Sequence, residues 1–374
     1  MKSIVIIAGT RPEVIKLFPV YAELKKIRTF KVRWVSTGQH KEMLSPLYEL
    51  FSFIPDVDLG VMTSNQDLSS LTSMVLRKCS EYFQEINPDC VIVQGDTSSA
   101  MAASMAAFYQ QIPVAHVEAG LRSYNINSPF PEEVNRRIIS AIATLNFAPT
   151  ELSAKALIKE KLTGRILISG NTVIDTLFLT RKKVMKKVKN YYELFDKQLT
   201  GYEGMVLITG HRRENYIVDG FYTICNAVRR LAENFPNYSF VYPVHLNPNV
   251  QKIVYGILNE TPNIFLIDPV PYDQMVFLMM SCKFILTDSG GVQEEAPSLG
   301  KPVLIMRTTT ERPEGVKEGC AKLVGVNEES IYKHAVKLLN NSFVYVSMST
   351  KRNPYGGGKS AKFITLHIKD YLNE

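Results

Sequence analysis

The amino-acid sequence predicts an α/β protein built from two Rossmann-like domains that face a cleft. Short apolar runs alternate with helical patterns along nearly the whole chain, a rhythm typical of βαβ units and parallel sheets. A length of 374 residues exceeds what one hydrophobic core usually organises. The two halves also begin alike, with IIAGTRPE at residues 6–13 and LITGHRREN at residues 207–215. Together these features favour two related domains.

Each predicted strand is a short run rich in β-branched residues, followed by a helical pattern. The predicted strands lie at residues 4–7, 32–36, 90–93, 114–117 and 166–168 in the first half, and at 206–209, 240–242, 264–267, 284–286 and 303–305 in the second. We expect the first domain to span residues 1–170 and the second to span residues 171–359. A last helical pattern, residues 360–374, follows a turn-rich stretch and is expected to pack back onto the first domain.

Composition indicates a globular protein with reduced thiols. Hydrophobic residues make up 45% of the chain, and the five cysteines are scattered without a C-x-x-C pair, so neither a disulfide framework nor a zinc site is expected. A strand-like run begins at Ser3, and no apolar stretch reaches membrane-spanning length. We therefore expect a cytoplasmic protein with no signal peptide and no membrane partner.

The net charge of +7 includes one dense basic run, RKKVMKKVK at residues 181–189. Only Val184, Met185 and Val188 are apolar there, which favours the solvated face of a helix. The chain has no aromatic residues interspersed with the basic residues of this run, and it has no known nucleic-acid-binding motif. A nucleic-acid partner is therefore not expected.

A glycine turn at residues 287–300, TDSGGVQEEAPSLG, follows the predicted strand at 284–286. Gly290 and Gly291 lack the Cβ atoms that would keep a ligand from the backbone, and their N–H groups at the start of a helix suit a diphosphate. Glu294 or Glu295, one turn later, is placed to accept hydrogen bonds from sugar hydroxyls. The alternative is an ordinary loop with solvated glutamates.

Polar side chains follow several predicted strands directly, where burial alone would not demand them. Because ligands bind at the carboxyl ends of parallel strands, these positions matter most. They carry carboxylates, cations and histidines: Arg11, Lys16, Asp96, His116, Glu118, Glu132, Arg136, His211, Arg212, Arg213 and His245. Each alone has a structural explanation, since Asp96 could cap a helix and Glu132 could be a first-turn charge. Their number favours a functional site.

Several common motifs are missing, which narrows the chemistry. The chain has no G-x-G-x-x-G after its first strand, no G-x-x-x-x-G-K-[ST] and no G-x-S-x-G. His116 and Glu118 have no further metal-ligand spacing, so a metal site is not expected. A glycine turn, arginines and carboxylates fit chemistry at a sugar carbon beside a nucleotide-diphosphate leaving group.

Ten strings together resemble one family: GTRPE, GQH, GDT, HVEAGLR, PEEVNRR, GNTVID, HRREN, PVHLNPNV, TDSGGVQEEAPSLGKPVL and TTERPEG. The chain is similar over residues 9–358 to the non-hydrolysing UDP-N-acetylglucosamine 2-epimerases of bacteria. The resemblance implies the glycosyltransferase-B architecture and interconversion of UDP-GlcNAc and UDP-ManNAc, which supplies ManNAc units for surface polysaccharide. It also implies anti elimination of UDP to a 2-acetamidoglucal, re-addition of UDP, no external cofactor, and a homodimer.

The resemblance also assigns residues. It gives catalytic roles to Asp96, Glu118, Glu132 and His211, and leaves open which carboxylate removes the C2 proton. The positions that it gives to UDP binding or to closing of the cleft are Arg11, Lys16, Arg136, Arg212, Ser289, Gly290, Gly291 and Glu295. Among these we expect Glu295 to bind the ribose hydroxyls, and the turn at residues 289–291 to bind the diphosphate.

Some members of the family bind a second UDP-GlcNAc as an activator, and this chain matches that pocket in part. The matching residues are Gln39, Gln66, Arg213 and His245, with Arg212 as an alternative to Arg213. Glu42 and Asn65 differ from the Gln and Arg of some members. Thr308 and Gly357 also depart from the family pattern, in places that the expected chemistry does not involve.

Three alternatives stay open. A glycosyltransferase of the same fold would pass the sugar to an acceptor, and a hydrolysing 2-epimerase would release free ManNAc and UDP. A UDP-sugar sensor would need the arginines and glycines but not a full acid–base set. The retained carboxylates argue against the sensor, and the intact HVEAGLR and PEEVNRR strings resemble the non-hydrolysing branch.

Overall fold

Two parallel β-sheets flanked by helices make up the protein, and the predicted α/β class with two Rossmann-like domains is confirmed. The structure is a computed structural model that describes residues 1–38, 41–63, 66–210 and 220–374. The chain divides into two compact units, with residues 1–176 and 355–374 in unit 1 and residues 177–354 in unit 2. The predicted domain limits at residues 170 and 359 stay a prediction, as does the cleft.

Unit 1 contains a seven-stranded sheet in the order β3-β2-β1-β4-β5-β6-β7, with every pairing parallel. Its strands are β1 (Lys2–Ala8), β2 (Phe30–Ser36), β3 (Val57–Asp58), β4 (Cys90–Gln94), β5 (Val114–Val117), β6 (Leu145–Ala148) and β7 (Arg165–Ile168). The helices up to residue 186 are α1 (Arg11–Leu24), α2 (Lys41–Phe51), α3 (Leu68–Ile86), α4 (Ser98–Tyr109), α5 (Glu132–Ile142), α6 (Glu151–Lys159) and α7 (Val173–Lys186).

Unit 2 contains a six-stranded parallel sheet in the order β10-β9-β8-β11-β12-β13. Its strands are β8 (Gly204–Thr209), β9 (Tyr238–Pro243), β10 (Ile264–Ile267), β11 (Phe284–Thr287), β12 (Val303–Ile305) and β13 (Ala321–Leu323). The described helices of unit 2 are α8 (Val188–Leu194), α9 (Asp196–Leu199), α10 (Gly220–Asn234), α11 (Pro248–Leu258), α12 (Tyr272–Ser281), α13 (Gly290–Glu295), α14 (Pro313–Glu318), α15 (Glu328–Asn340) and α16 (Ser342–Ser349). The last helix of the chain, α17 (Ser360–Asn373), belongs to unit 1 and packs against α1.

The strand order reverses next to the first strand of each sheet, so that β1 lies between β2 and β4, and β8 lies between β9 and β11. The chain runs outward from that strand in one direction and then in the other. Such a switch point leaves a crevice at the carboxyl ends of the central strands, where open α/β sheets bind ligands. A binding site is therefore expected at the loops after β1, β4 and β5 in unit 1 and at the loop after β11 in unit 2.

The central strands are buried on both faces, which explains why they are continuous apolar runs rather than alternating ones. Ile4, Ile6 and Val5 of β1 have no exposed surface, and neither have Val91 and Ile92 of β4. Helix α4 contacts α3 closely because its inner face consists of small side chains. Unit 2 has an equivalent core in which β8, β9 and β11 pack against α10, α11 and α15.

The basic run at residues 181–189 lies on the surface, as predicted. Val184 is fully buried, whereas Met185 is half exposed and the lysines and Arg181 are exposed. No helix of the described segments combines the length and the apolar character needed to cross a membrane.

Candidate active site

The carboxylate of Glu118 lies at the carboxyl end of the unit 1 sheet, directly after β5. Its backbone has φ +64°, a left-handed conformation that a residue with a side chain adopts only when its surroundings stabilise it. The residue is only 8% exposed. Lys16 Nζ donates to Oε1 at 2.5 Å, Asn171 Nδ2 donates to Oε1 at 3.1 Å, and Gln94 Nε2 donates to Oε2. A buried carboxylate is thus fixed by one cation and two amides.

Lys16 and Gln94 reach Glu118 because of where their elements end. Lys16 lies in the second turn of α1, and its ammonium group is buried against the Glu118 carboxylate. Gln94 is the last residue of β4, the strand that pairs with β5. The structure therefore brings together two predicted residues, Lys16 and Glu118, and adds Gln94, a strand-end residue to which the sequence assigned no role.

Asp96 forms a second cluster, with the inner face of α5. Arg136 Nε donates to Asp96 Oδ2 at 3.0 Å, and Nη2 donates to the same oxygen. Asn135 Nδ2 donates to the Asp96 carbonyl at 2.9 Å, so α5 contacts both the backbone and the side chain of this loop. Asp96 and Arg136, predicted for separate roles, are an ion pair.

Glu133 is the buried partner of the same arginine, and the sequence assigned it no functional role. It accepts hydrogen bonds from Arg136 Nη1 at 3.3 Å, Arg137 Nη2 at 2.7 Å and the Ser123 backbone N–H at 2.9 Å. Burial by itself raises the pKa of Glu133, but the hydrogen bonds from Ser123 and Arg137 together bring the pKa below its ordinary value. Glu133 therefore fixes Arg136 and the 123–124 backbone.

Glu132, in the first turn of α5, differs from the other predicted carboxylates. The residue is half-buried, and its Oε2 atom is closed off from solvent without a hydrogen bond from any described residue. Asp96 and Glu118, by contrast, are each bonded to a cation. Of these three side chains, Glu132 is the one with a buried carboxylate oxygen that has no hydrogen-bond donor among the described residues.

Glu13 joins the loop after β1 to the loop after β4. Its Oε2 accepts from the backbone N–H groups of Gly9 at 2.9 Å and Thr10 at 2.7 Å, and its Oε1 accepts from Thr97 Oγ1 at 2.6 Å. The interactions with Thr10 form a capping box that begins α1. Burial raises the pKa of Glu13 despite these hydrogen bonds. This carboxylate is a structural brace beside Asp96.

Two polar residues of the HVEAGLR string have structural roles. His116 is fully buried in β5, where its Nε2 donates to the Gly95 carbonyl at 2.7 Å, and burial lowers its pKa to about 4. It is therefore neutral at physiological pH. The Arg122 guanidinium makes a bidentate ion pair with Glu160, from Nε at 2.6 Å and from Nη2 at 2.7 Å. Arg122 thus joins the loop after β5 to the end of α6.

The predicted glycine turn of unit 2 lies between β11 and α13. Ser289 precedes the helix, and its backbone N–H donates to Thr287 Oγ1 at 2.9 Å. A Cβ on Gly290 would come within 2.7 Å of Arg312 Cζ, whereas a Cβ on Gly291 would meet only Glu295 Oε2, at 3.8 Å. The two glycines therefore differ, because Gly290 makes room for an arginine and Gly291 leaves its surface open.

The two glutamates after this turn also differ. Glu294 accepts a hydrogen bond from Arg312 Nε at 2.5 Å, which is a contact between side chains of unit 2 rather than one left for a sugar. Glu295 is buried and accepts a hydrogen bond from the Tyr272 hydroxyl. Glu294 is therefore bonded to a charged group, and Glu295 has a tyrosine hydroxyl among its partners.

The remaining predicted residues are partly outside the described segments. Gln39, His211, Arg212 and Arg213 lie there, so their predicted roles stay predictions. Arg11 begins α1, and His245 is exposed after β9. Gln66 is bonded within its own loop, since its Nε2 donates to the Val61 carbonyl at 3.0 Å and its Oε1 accepts from the Thr63 N–H at 3.3 Å. In the four described segments, no three His, Cys, Asp or Glu side chains are grouped as a metal site would require.

The fold and the polar clusters define a two-domain Rossmann-like enzyme of the glycosyltransferase-B type. A fold likeness extends as far as MurG of Acinetobacter baumannii, with a TM-score of 0.63 at 12% identity, over 99% of this chain and 100% of that one. The family model for UDP-N-acetylglucosamine 2-epimerase matches residues 22–369. The chain belongs to the UDP-N-acetylglucosamine 2-epimerase family.

Individual relatives agree with that assignment over full length. The chain is 46% identical to the UDP-N-acetylglucosamine 2-epimerase of Campylobacter jejuni, covering 100% of this chain and 99% of that one. A solved UDP-GlcNAc 2-epimerase from Neisseria meningitidis, bound to UDP-GlcNAc, matches with a TM-score of 0.93 at 43% identity over 100% of both chains. The enzyme from Methanocaldococcus jannaschii, solved in complex with UDP-GlcNAc and UDP, matches with a TM-score of 0.83 at 32% identity, over 99% of this chain and 100% of that one.

Proposed function

We propose that this protein interconverts UDP-GlcNAc and UDP-ManNAc without hydrolysis. The observation that carries the proposal is the set of carboxylates at the end of the unit 1 sheet, in which Asp96 and Glu118 are bonded to cations and Glu132 has an oxygen without a described donor. An acid–base set of this kind suits proton transfer at carbon. The UDP-GlcNAc bound to the Neisseria meningitidis relative supports the choice of substrate.

The reaction proposed is elimination followed by re-addition. A carboxylate takes the C2 proton, the C2–H electrons form a C1=C2 double bond, and the C1–O bond breaks so that UDP leaves with its electron pair. UDP then attacks C1 of the 2-acetamidoglucal again, and a proton reaches C2 from the opposite face. The atoms balance and nothing is oxidised, so the reaction itself needs no redox cofactor. The UDP-ManNAc formed would supply ManNAc units for surface polysaccharide.

Glu132 is our candidate for the group that removes the C2 proton from UDP-GlcNAc. Its Oε2 accepts no hydrogen bond from a described residue, and it lies in the first turn of α5. Glu118 and Asp96 are already hydrogen-bonded to cations, which suits them to stabilise positive charge that develops at C1 and to carry a proton on the other face. His211 keeps its predicted acid–base role within the same proposal.

The UDP group is proposed to bind to unit 2 at the turn of residues 289–291. The open surface over Gly291 supports an approach of the diphosphate to the backbone, and Glu295 is proposed to accept hydrogen bonds from the ribose. Arg11, Arg212 and the cations Lys16 and Arg136 are proposed to favour the anionic leaving group. Lys16 and Arg136 already neutralise carboxylates, so we expect them to contribute less to the affinity for UDP than Arg11 and Arg212 do.

Activation by a second UDP-GlcNAc, assembly as a homodimer and a cytoplasmic location complete the proposal. The Methanocaldococcus jannaschii relative was solved with both UDP-GlcNAc and UDP, which supports testing for a second nucleotide. Gln39, Gln66, Arg213 and His245 remain the proposed activator residues. Rates that rise hyperbolically with UDP-GlcNAc concentration would count against activation. The cytoplasmic location is supported by the five cysteines, which are all buried and free.

Proton NMR of the protein with UDP-GlcNAc in D₂O tests the reaction. We expect UDP-ManNAc with deuterium at C2 to appear without added metal or nicotinamide cofactor. Free ManNAc together with UDP would identify a hydrolysing enzyme instead, and an unchanged spectrum would contradict epimerase activity on this substrate.

A further inference from the structure

Asn171 lies where the chain leaves unit 1, between β7 and α7, and it is 2% exposed. Its side chain spans two neighbours: Nδ2 donates to Glu118 Oε1 at 3.1 Å, and Oδ1 accepts from the Val173 backbone N–H at 3.1 Å. A backbone N–H can only donate, so the amide orientation is fixed by Val173 and the NH₂ group must face Glu118. The side chain is therefore a directed donor.

The backbone of Asn171 is fixed by the segment where the chain returns to unit 1. The Asn171 N–H donates to the Tyr355 carbonyl at 2.7 Å, and Tyr355 is buried. Gly356 has φ +121° and lies against Gly170, since a Cβ at Gly356 would be 3.5 Å from Gly170 Cα. We call residues 170–176 and 355–361 the junction.

Two further contacts stabilise the junction. The Asp175 carboxylate accepts the backbone N–H groups of Ser360 at 3.2 Å and Ala361 at 3.0 Å, at the start of α17. Thr176 Oγ1 donates to the Ile15 carbonyl of α1 at 2.5 Å, one residue before Lys16. The junction thus contacts the same helix that supplies the cation of Glu118.

The structure assigns Asn171 a positioning role, in which it orients the Glu118 carboxylate from the junction. The geometry of the junction therefore determines one of the three hydrogen bonds of that carboxylate. This inference rests on the proposed function, in which Glu118 takes part in proton transfer and charge stabilisation. The backbone of Glu118 is itself left-handed, a conformation that is unfavourable unless the surroundings fix it, and the three hydrogen bonds of the carboxylate are part of those surroundings.

Asn171→Asp is the sharpest test, since it retains the acceptor for Val173 N–H and replaces the donor with a carboxylate oxygen facing Glu118. Among the described residues, the charged group that is hydrogen-bonded to Glu118 is Lys16, and the uncharged partners are Gln94 and Asn171. A second carboxylate at this distance disfavours ionisation of Glu118, and the pair titrates together. We expect kcat at pH 7 to fall about tenfold or more, and the acidic limb of its pH profile to move up by about one unit or more.

Asn87→Asp is the matched control, because it makes the same amide-to-carboxylate change at the end of α3, before the amino end of β4 and outside the junction. We expect its pH profile for kcat to match that of the wild-type protein. If Asn171→Asp shows the wild-type pH profile, or if Asn87→Asp shows the same displacement, the positioning role is wrong. Thermal unfolding of each variant checks that it is folded.

Asn171→Ser provides a second measurement if the aspartate variant does not fold. Serine retains a short acceptor for Val173 N–H but cannot reach Glu118, so kcat should fall about tenfold with KM changed little. A wild-type kcat would overturn the inference.

Two adjacent glycines test whether the geometry of the junction affects catalysis. Gly356→Ala introduces a side chain at φ +121° beside Gly170, whereas a Cβ on Gly357 would meet no atom within 4 Å. We expect Gly356→Ala to lower kcat severalfold and Gly357→Ala to leave it unchanged. Equal rates for the two variants would contradict the coupling.

The proposed function is tested separately, by C2 deuterium incorporation with the wild-type protein. If the wild-type protein does not exchange the C2 proton, the proposed function fails. If it does and the Asn171 variants behave as the wild type, only the positioning role fails.

Discussion

The Arg136 guanidinium donates two hydrogen bonds to the Asp96 carboxylate, although the two residues are 40 positions apart in the chain. Arg136 belongs to α5, whose first turn also carries Glu132. The same helix therefore fixes the orientation of one predicted catalytic carboxylate and carries another. Because Arg136 is also bonded to the buried Glu133, a change at Asp96 need not leave the arginine without a partner.

Neutral replacements of the carboxylates should separate catalysis from binding. For Asp96→Asn, Glu118→Gln and Glu132→Gln we expect kcat to fall by about two to four orders of magnitude, because each removes a group that transfers a proton or stabilises charge. Affinity for UDP, measured by calorimetry, should change little. Glu23→Gln, which removes a carboxylate from a surface ion pair of α1, is the control. A near-wild-type rate for Glu132→Gln would remove Glu132 from the proposed role of base.

Gly291→Ala should weaken UDP binding without harming the fold. The backbone there is helical and the added Cβ has an ordinary contact with Glu295 at 3.8 Å, so stability should be unchanged or rise by about 0.5–1 kcal/mol. The methyl group would occupy the surface proposed for the diphosphate, and the Kd for UDP should rise about tenfold or more, the effect of about 1.4 kcal/mol. Gly256→Ala in α11 is the matched control, since a Cβ there is also in open space. Equal UDP affinities would place the diphosphate elsewhere.

Glu295→Ala should lower the affinity for UDP more than it lowers kcat, because the proposed contact is with the ribose and not with the reacting carbons. Tyr272→Phe removes the hydroxyl that donates to Glu295 and leaves the carboxylate in place. We expect the Kd for UDP, measured by calorimetry, to change by about tenfold or more in the first variant and less in the second. An unchanged Kd for Glu295→Ala would refute the ribose contact.

Asp175 should make stability depend on pH. Burial raises its pKa to about 6, despite the backbone N–H groups of Ala361 and Ser360 that donate to it. The folded protein therefore retains this proton over a range in which the unfolded chain has lost it, and the free energy of unfolding should decrease as the pH rises from about 4 to about 6. Asp175→Asn removes this contribution. Urea unfolding of both proteins at pH 4.5 and pH 7 measures it, and an identical pH dependence would contradict the prediction.

The sequence predicted the fold class because the strands in the middle of both sheets are buried on both faces and appear as continuous apolar runs. It missed three strands, β3, β6 and β13. Strand β3 has two residues, β6 contains the buried polar residue Asn146, and β13 is interrupted by the exposed Lys322. None of these has the apolar pattern from which a strand is predicted, and only pairing with a neighbour in the folded sheet makes them strands.

The sequence located the strand-end residues but could not show their pairing. Lys16 and Arg136 were predicted as ligands of UDP, and the structure bonds them to Glu118 and Asp96. Such pairs depend on contacts across 102 and 40 positions, which motif spacing does not contain. Asn171 lies in the string GNTVID and Arg312 lies in the string TTERPEG. Asn171 could have been identified because it follows a predicted strand, and Arg312 because its string belongs to the same family resemblance as the glycine turn.

Unit 1 includes a segment that follows unit 2 in the sequence, since α17 packs against α1 and its first N–H groups are bonded to Asp175. During synthesis, the whole of unit 2 therefore leaves the ribosome before unit 1 has all of its parts. Unit 1, which carries Asp96, Glu118 and Glu132, therefore cannot finish folding until α17 has been synthesised, whereas unit 2 can already fold. Loss of α17 from the nascent chain would thus impair the part of the enzyme that was translated first.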